Sequence, residues 1–239
     1  MGGGNMAQAT KNKRPRRSKA EQRAESIEQI LDAAEYLFSQ NGLYGVTLRD
    51  VAKRVGIHTT LVHYYFNDKQ HLFEEVFARR AGVTSGRRME ALEQYEKDAG
   101  DTPTVEGALH AFLDTDLDLY YEGGEHWMNY AAFCARVSTT PEGAELMDIH
   151  FDPVVLKLVG ILKRALPDHS DEDIFWGYHF VTGSLMNTLA RTGRIDRLSG
   201  GICRSDDFPA VKKRIARFMA AGFLAIADPA GKKQTRRKK

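Results

Sequence analysis

The sequence predicts an all-α chain, with an N-terminal three-helix unit followed by a larger helical body. Three observations predict it. Apolar residues recur at three- and four-residue spacing along most of the chain. Helix-opening and helix-closing residues punctuate that pattern at intervals. Strand signals are nearly absent, because the pair Asn41-Gly42 falls at a helix end and not between alternating apolar runs.

The first helix is expected to open at Ser18, with Glu21 placed for a capping box. Ile27, Ile30, Leu31, Ala34, Leu37 and Phe38 make its apolar face, and Asn41-Gly42 ends it. Residues 47–69, TLRDVAKRVGIHTTLVHYYFNDK, then read as a helix, a tight turn, a second helix and the start of a third. Thr47 can cap the first of these, with Asp50 at its positive end. Leu48, Val51, Ala52 and Val55 form one face, and Gly56 permits a left-handed exit. His58 or Thr59 opens the second helix. Val62 and Phe66 should pack inward, leaving Thr59, Thr60, His63 and Tyr64 outward. Asn67 is the expected cap of the next helix, with Gln70 at the capping-box position. This is the layout of a helix-turn-helix that lays its second helix in a DNA major groove.

The body should be helical from Lys69 onward. One helix is expected from Lys69 to about Tyr95, weakened at Gly82 and Gly86. DTPT at 101–104 breaks it, and Thr104 caps a segment with Ala108, Phe112, Thr115 and Leu119 inward. Gly123-Gly124 separates the next segment, and Thr139/Thr140 with Pro141 starts another. Pro153 is expected to kink or break that helix near Asp152. Pro167 and Ser170 mark the following boundary.

Two long helices, 171–191 and 208–227, close the body. Ile174, Tyr178, Val181, Leu185 and Leu189 form one stripe; Val211, Ile215, Phe218, Gly222 and Ile226 form another. Two readings stand: an intersubunit four-helix bundle, or closure of the monomer core. Aromatics are dense in the middle of the chain. Phe112, Tyr120, Trp127, Tyr130, Phe133, Phe151, Trp176 and Phe180, with Asp116, His150 and His179 as polar groups, are the candidate lining of a small-molecule cavity. The plainer reading is that many of them fill a core.

The net charge is +2, unevenly spread. Residues 11–23 carry +6 and 232–239 another +6, which leaves about −10 for the rest. Residues 1–17 and 229–239 are expected to be disordered basic extensions, the first either touching DNA or only solubilising the chain. MGGGNMAQAT lacks the apolar centre of a secretory signal, and no apolar run is long enough to span a membrane. A cytoplasmic protein with reduced Cys134 and Cys203 is expected. No HExxH, GxSxG, phosphate loop or dinucleotide fingerprint is present, and His126, His150, His179 and Cys134 lack metal-ligand spacing. Neither enzymatic activity nor a cofactor or metal is expected.

Residues 24–80 resemble the DNA-binding domain of the TetR family of bacterial one-component regulators. The resemblance rests on the helix ending LFSQNGLYGVTLRDVA, the turn VGI and the block YYF-NDK-QHLFEEVF. It implies a DNA-binding domain over 18–80 and an effector-binding and dimerisation domain over 81–228. It also implies a homodimer on a palindromic operator, released by a small apolar or amphipathic effector; activation and effector-free regulation are the variants. Lys69 resembles the family's phosphate-binding lysine, Thr47 a phosphate contact at a helix N-terminus, and His63 and Tyr64 an aromatic pair on sugar-phosphate and thymine methyls. Arg49, Thr59 and Thr60 are the base-reading candidates, with His58 beside them. Leu61, His63 and Tyr65 depart from the commoner Thr, Tyr and His, so the operator sequence does not carry over. A nonspecific DNA binder using the basic arms is the alternative.

Overall fold

A computed structural model describes residues 18–226; the expected basic arm 1–17 and basic tail 229–239 lie outside the described residues. Among the described residues ten helices follow one another: α1 Lys19–Asn41, α2 Leu48–Val55, α3 Thr59–Phe66, α4 Lys69–Ala99, α5 Val105–Glu122, α6 Glu125–Val137, α7 Pro141–Ala165, α8 Asp171–Leu189, α9 Arg194–Leu198 and α10 Phe208–Ala225. No strand occurs among the described residues.

Local chemistry sets most of the boundaries. At α1, Ser18 Oγ accepts from the Glu21 amide while Glu21 Oε2 accepts from the Ser18 amide. The same reciprocal box joins Thr47 to Asp50 at α2 and Ser170 to Asp173 at α8. Gly56 closes α2 at φ 80°, where a side chain would be strained. The α3–α4 connection corrects one expectation. Asp68, not Asn67, caps α4, its Oδ1 accepting from the His71 amide at 2.8 Å. Asn67 instead takes the positive φ (56°) that ends α3, a role asparagine tolerates better than most residues. Gln70 bonds Glu74, so no capping box forms there.

α4 runs 31 residues without a break, and the expected division at 80/81 falls inside it. Gly82 and Gly86 face open space, while Ala81, Thr84, Arg88 and Leu92 hold the opposite side in the core. Pro153 likewise fails to break α7, which continues from Pro141 to Ala165. Pro153 and Ile149, whose carbonyl loses its usual partner, are exposed, so water can satisfy that oxygen. Buried Phe151, Val154, Val155 and Leu158 clamp the helix across the proline.

The core is continuous from end to end. Ile30, Ala34, Phe38, Val46, Val51, Val62, Phe66 and Leu72 close the N-terminal unit around α1–α3. Phe38 then meets Phe73 and Phe133, with ring centres 5.1 and 6.1 Å apart, and Phe133 meets Phe77 at 6.1 Å. These rings carry apolar packing into the body, where α5 packs against α4 and α10.

Candidate nucleic-acid interface and ligand cavity

α3 is held by one face and offers the other. Val62 and Phe66 are buried, so the helical period turns Thr60, His63 and Tyr64 outward, Tyr64 with 73% of its surface exposed. Thr59 is half-buried and His58, the N-cap, exposed. His63 Nδ1 lies 2.9 Å from the Asn67 carbonyl, which orients the ring. Tyr65 packs under Arg23, whose guanidinium is 5.8 Å from the ring centre. Arg49 is exposed at the start of α2, and the Lys69 ammonium, at the start of α4, lies 5.7 Å from the centre of the Tyr44 ring. Thr47 departs from its expected part. Its amide and its hydroxyl both donate to Asp50 Oδ2, at 2.9 and 2.6 Å, so neither is free for a phosphate. These bonds hold the Asp50 carboxyl below its ordinary pKa. A phosphate here would meet the open Leu48 and Arg49 amides of the first turn instead.

A cavity of about 220 Å³ lies in the body, walled by α4 through α8. Of the expected lining, Phe112, Asp116, Tyr120 and Phe151 are present. The others go elsewhere. Phe133 is locked among Phe38, Phe73 and Phe77. Tyr130 is fully buried beside Phe77 and Trp127, and Trp127 lies under the Arg80 guanidinium at 4.9 Å. His150 lies tilted against Phe77, ring centres 5.5 Å apart, and lines a separate cleft between α4 and α7. Trp176, His179 and Phe180 cluster on the exposed face of α8, Trp176 and Phe180 stacked at 6.1 Å.

The stripe expected at a dimer interface is turned the other way. Ile174, Val181 and Leu185 are buried within the monomer, and Tyr178 and Leu185 line the cavity. Gly177 decides the rotation: a Cβ there would stand 2.2 Å from Phe223, so α10 presses directly on this side of α8. On α10, Ile215 is buried and Val211 half-buried, whereas Phe218 (73% exposed) and Gly222 face outward.

Several lining residues carried no expectation, above all Arg88, with Cys134, Met147, Asp148 and Asp152. Arg88 had a faint signal, as a charge on the apolar stripe Ala81–Thr84–Arg88–Leu92. Its Nη2 lies 2.7 Å from Asp116 Oδ2, and Tyr120 Oη donates to the same oxygen at 3.1 Å. Burial is the largest influence on Arg88 and opposes its charge, but Asp116 together with Tyr120, Tyr178 and Cys134 outweighs it, and the guanidinium pKa ends above its ordinary value. Burial lifts Asp116 against the pull of Arg88. Arg88 Nε and Asp116 Oδ1 have no hydrogen-bond partner. Burial pushes the Cys134 thiol up to about 12, so it is protonated and a poor nucleophile.

α4 joins the two regions. It starts at Lys69 beside α3 and reaches the cavity at Arg88, about 28 Å further on at 1.5 Å per residue. Between them, Arg79 and Arg80 converge on Glu35 of α1 at 2.8 and 2.6 Å, and Arg79 also meets Asp32 at 2.9 Å. From α6, Arg136 Nε donates to the Ser39 carbonyl at 2.6 Å.

An outward-facing recognition helix coupled by one long helix to an internal cavity defines a helix-turn-helix transcriptional regulator. A family model described as bacterial regulatory proteins of the tetR family matches residues 30–76, and one described as a tetracyclin repressor-like C-terminal domain matches 110–222. The chain belongs to the TetR family. It is 24% identical over 166 residues to the HTH-type transcriptional regulator BetI of Escherichia coli O157:H7, covering 70% of this chain and 83% of that one. Solved structures share the fold. A transcriptional regulator from Pseudomonas aeruginosa PAO1 aligns at TM-score 0.55 and 15% identity, over 86% of this chain and 94% of that one. FadR from Bacillus subtilis, in complex with stearoyl-CoA, aligns at 0.51 and 17%, over 82% and 98%.

Proposed function

We propose that the chain is a homodimeric repressor that leaves a palindromic operator when a small apolar or amphipathic effector enters the cavity around Arg88. The observation that carries this is α4, a single rigid element that abuts the recognition helix at one end and walls the cavity near its middle. Thr59, Thr60 and Arg49 read bases, while Tyr64, His63 and Lys69 hold the backbone beside them. The exposed faces of α8 and α10, bearing Trp176, Phe180 and Phe218, pair across a two-fold axis. That symmetry sets two α3 helices about one DNA turn apart, roughly 34–36 Å. Among the described residues no helix is long and apolar enough to cross a membrane, and the cytoplasm is the compartment in which such a repressor meets its operator.

Selection of genomic fragments by the purified protein at physiological salt tests this, with Tyr64→Ala/Lys69→Ala alongside. A palindrome recovered by the parent and lost by the variant is expected. Enrichment without a motif, unaffected by the variant, would point to nonspecific binding through the basic arms. Thr182, half-buried in the cavity wall, then supplies the effector test: Thr182→Trp fills the space and should weaken operator affinity at least about fivefold, as allosteric couplings commonly do. Unchanged affinity would remove the cavity from the mechanism.

A further inference from the structure

The cavity wall carries a charge pattern that selects among effectors. Asp116, Asp148 and Asp152 line it against the guanidinium of Arg88, a net of −2. That cation is already engaged, 2.7 Å from Asp116 and 4.3 Å from the centre of the Phe112 ring. An anion drawn to Arg88 would sit against Asp116, a carboxylate that is 1% exposed and repels it at close range.

Asp148 and Asp152 are differently placed. They stand one turn apart on α7, exposed yet lining the cavity, and so form its mouth. Neither has a cation or a hydrogen-bond donor as partner among the described residues. Like charges at this spacing repel weakly, and a cation between them would relieve that repulsion. Behind them the wall is aromatic, with Phe112, Phe151 and Tyr178 against which an apolar body can pack. Deeper in the wall, Asp116 Oδ1 is buried without a hydrogen-bond partner, a second acceptor for a donor group.

We infer that the effector is a small amphipathic organic cation, its charged nitrogen held between Asp148 and Asp152 and its apolar body against Phe112, Phe151 and Tyr178. This rests on the cavity being the effector site. A volume of about 220 Å³ falls below the roughly 300–1,000 Å³ of drug-sized sites, which limits the body to about one ring and a short chain.

Three probes that differ at the head group test it on the full-length dimer by calorimetry: 3-phenylpropylammonium, 3-phenylpropanol and 3-phenylpropionate. The ammonium should bind about tenfold tighter than the alcohol, with the carboxylate weakest. Asp148→Asn/Asp152→Asn keeps shape at two exposed positions; it should erase the ammonium's advantage and leave the alcohol unchanged. Tightest binding by 3-phenylpropionate would overturn the inference and make Arg88 the receptor. Equal binding of all three, lost in Thr182→Trp, would also overturn it while keeping the cavity as the effector site. Equal binding that survives Thr182→Trp would overturn both. No binding by any probe would overturn the cation inference alone, since the effect of Thr182→Trp on operator affinity judges the cavity separately.

Discussion

A guanidinium and a carboxylate both nearly withdrawn from water are an expensive choice for a cavity wall, because desolvation offsets most of their attraction. Removing one partner should therefore hurt more than removing both. Asp116→Asn is expected to lose about 3–5 kcal/mol in urea unfolding, while Arg88→Met/Asp116→Leu stays within about 1 kcal/mol of the parent or exceeds it. Equal losses would mean that the pair itself, and not the stranded charge, sets the stability. At this scale the sequence was legible wherever a residue acts on its own backbone. Ser18 with Glu21, Thr47 with Asp50, and Gly56 follow from side-chain reach and backbone sterics. Asn67 and Asp68 are both good caps, and which one serves depends on how α3 ends. Arg88 was missed because a lone charge on a helix ordinarily faces water; only its position on an apolar stripe hinted otherwise.

Helix α8 shows where periodicity runs out. Both of its faces are apolar, one with Ile174, Val181 and Leu185, the other with Trp176 and Phe180, so spacing alone does not say which looks inward. The contact of Gly177 with Phe223 decides it, and that pairing joins residues far apart in the chain. The same holds for α7, where local rules break the helix at Pro153 and tertiary clamping keeps it whole. Pro153→Ala restores the missing amide without changing the buried face. It should raise stability by about 1–3 kcal/mol, set by the helix-interior proline penalty less the entropy the proline removes from the unfolded chain. Urea midpoints measure this, and no gain would show that water and the buried clamp around Pro153 already offset the missing amide.

For the whole molecule, the proposed two-fold pairing makes assembly and DNA binding one property. Phe180→Asp/Phe218→Asp changes two exposed positions and spares the monomer core. Sedimentation should show a shift from dimer to monomer, and operator affinity should fall at least about a hundredfold as simultaneous engagement of two half-sites is lost. A variant that stays dimeric would place the interface elsewhere. Fold class and helix order were legible here, because an amphipathic pattern with clear stops needs no long-range information. The expected division at residue 80 falls inside unbroken α4, and the contacts of Phe133 with Phe38 and Phe73 and the Arg136–Ser39 hydrogen bond join the two sides of it.

The length of α4 turns that tie into a lever. With a fulcrum near Arg88, a tilt of about 5° carries Lys69 sideways by about 2.4 Å over the roughly 28 Å between them. In the proposed dimer, two subunits tilting in opposite senses would change the separation of their recognition helices by nearly 5 Å, more than the rise of one base pair. A rotation of a few degrees at the cavity is thus magnified at the groove, and the length of a single stiff helix sets the gain.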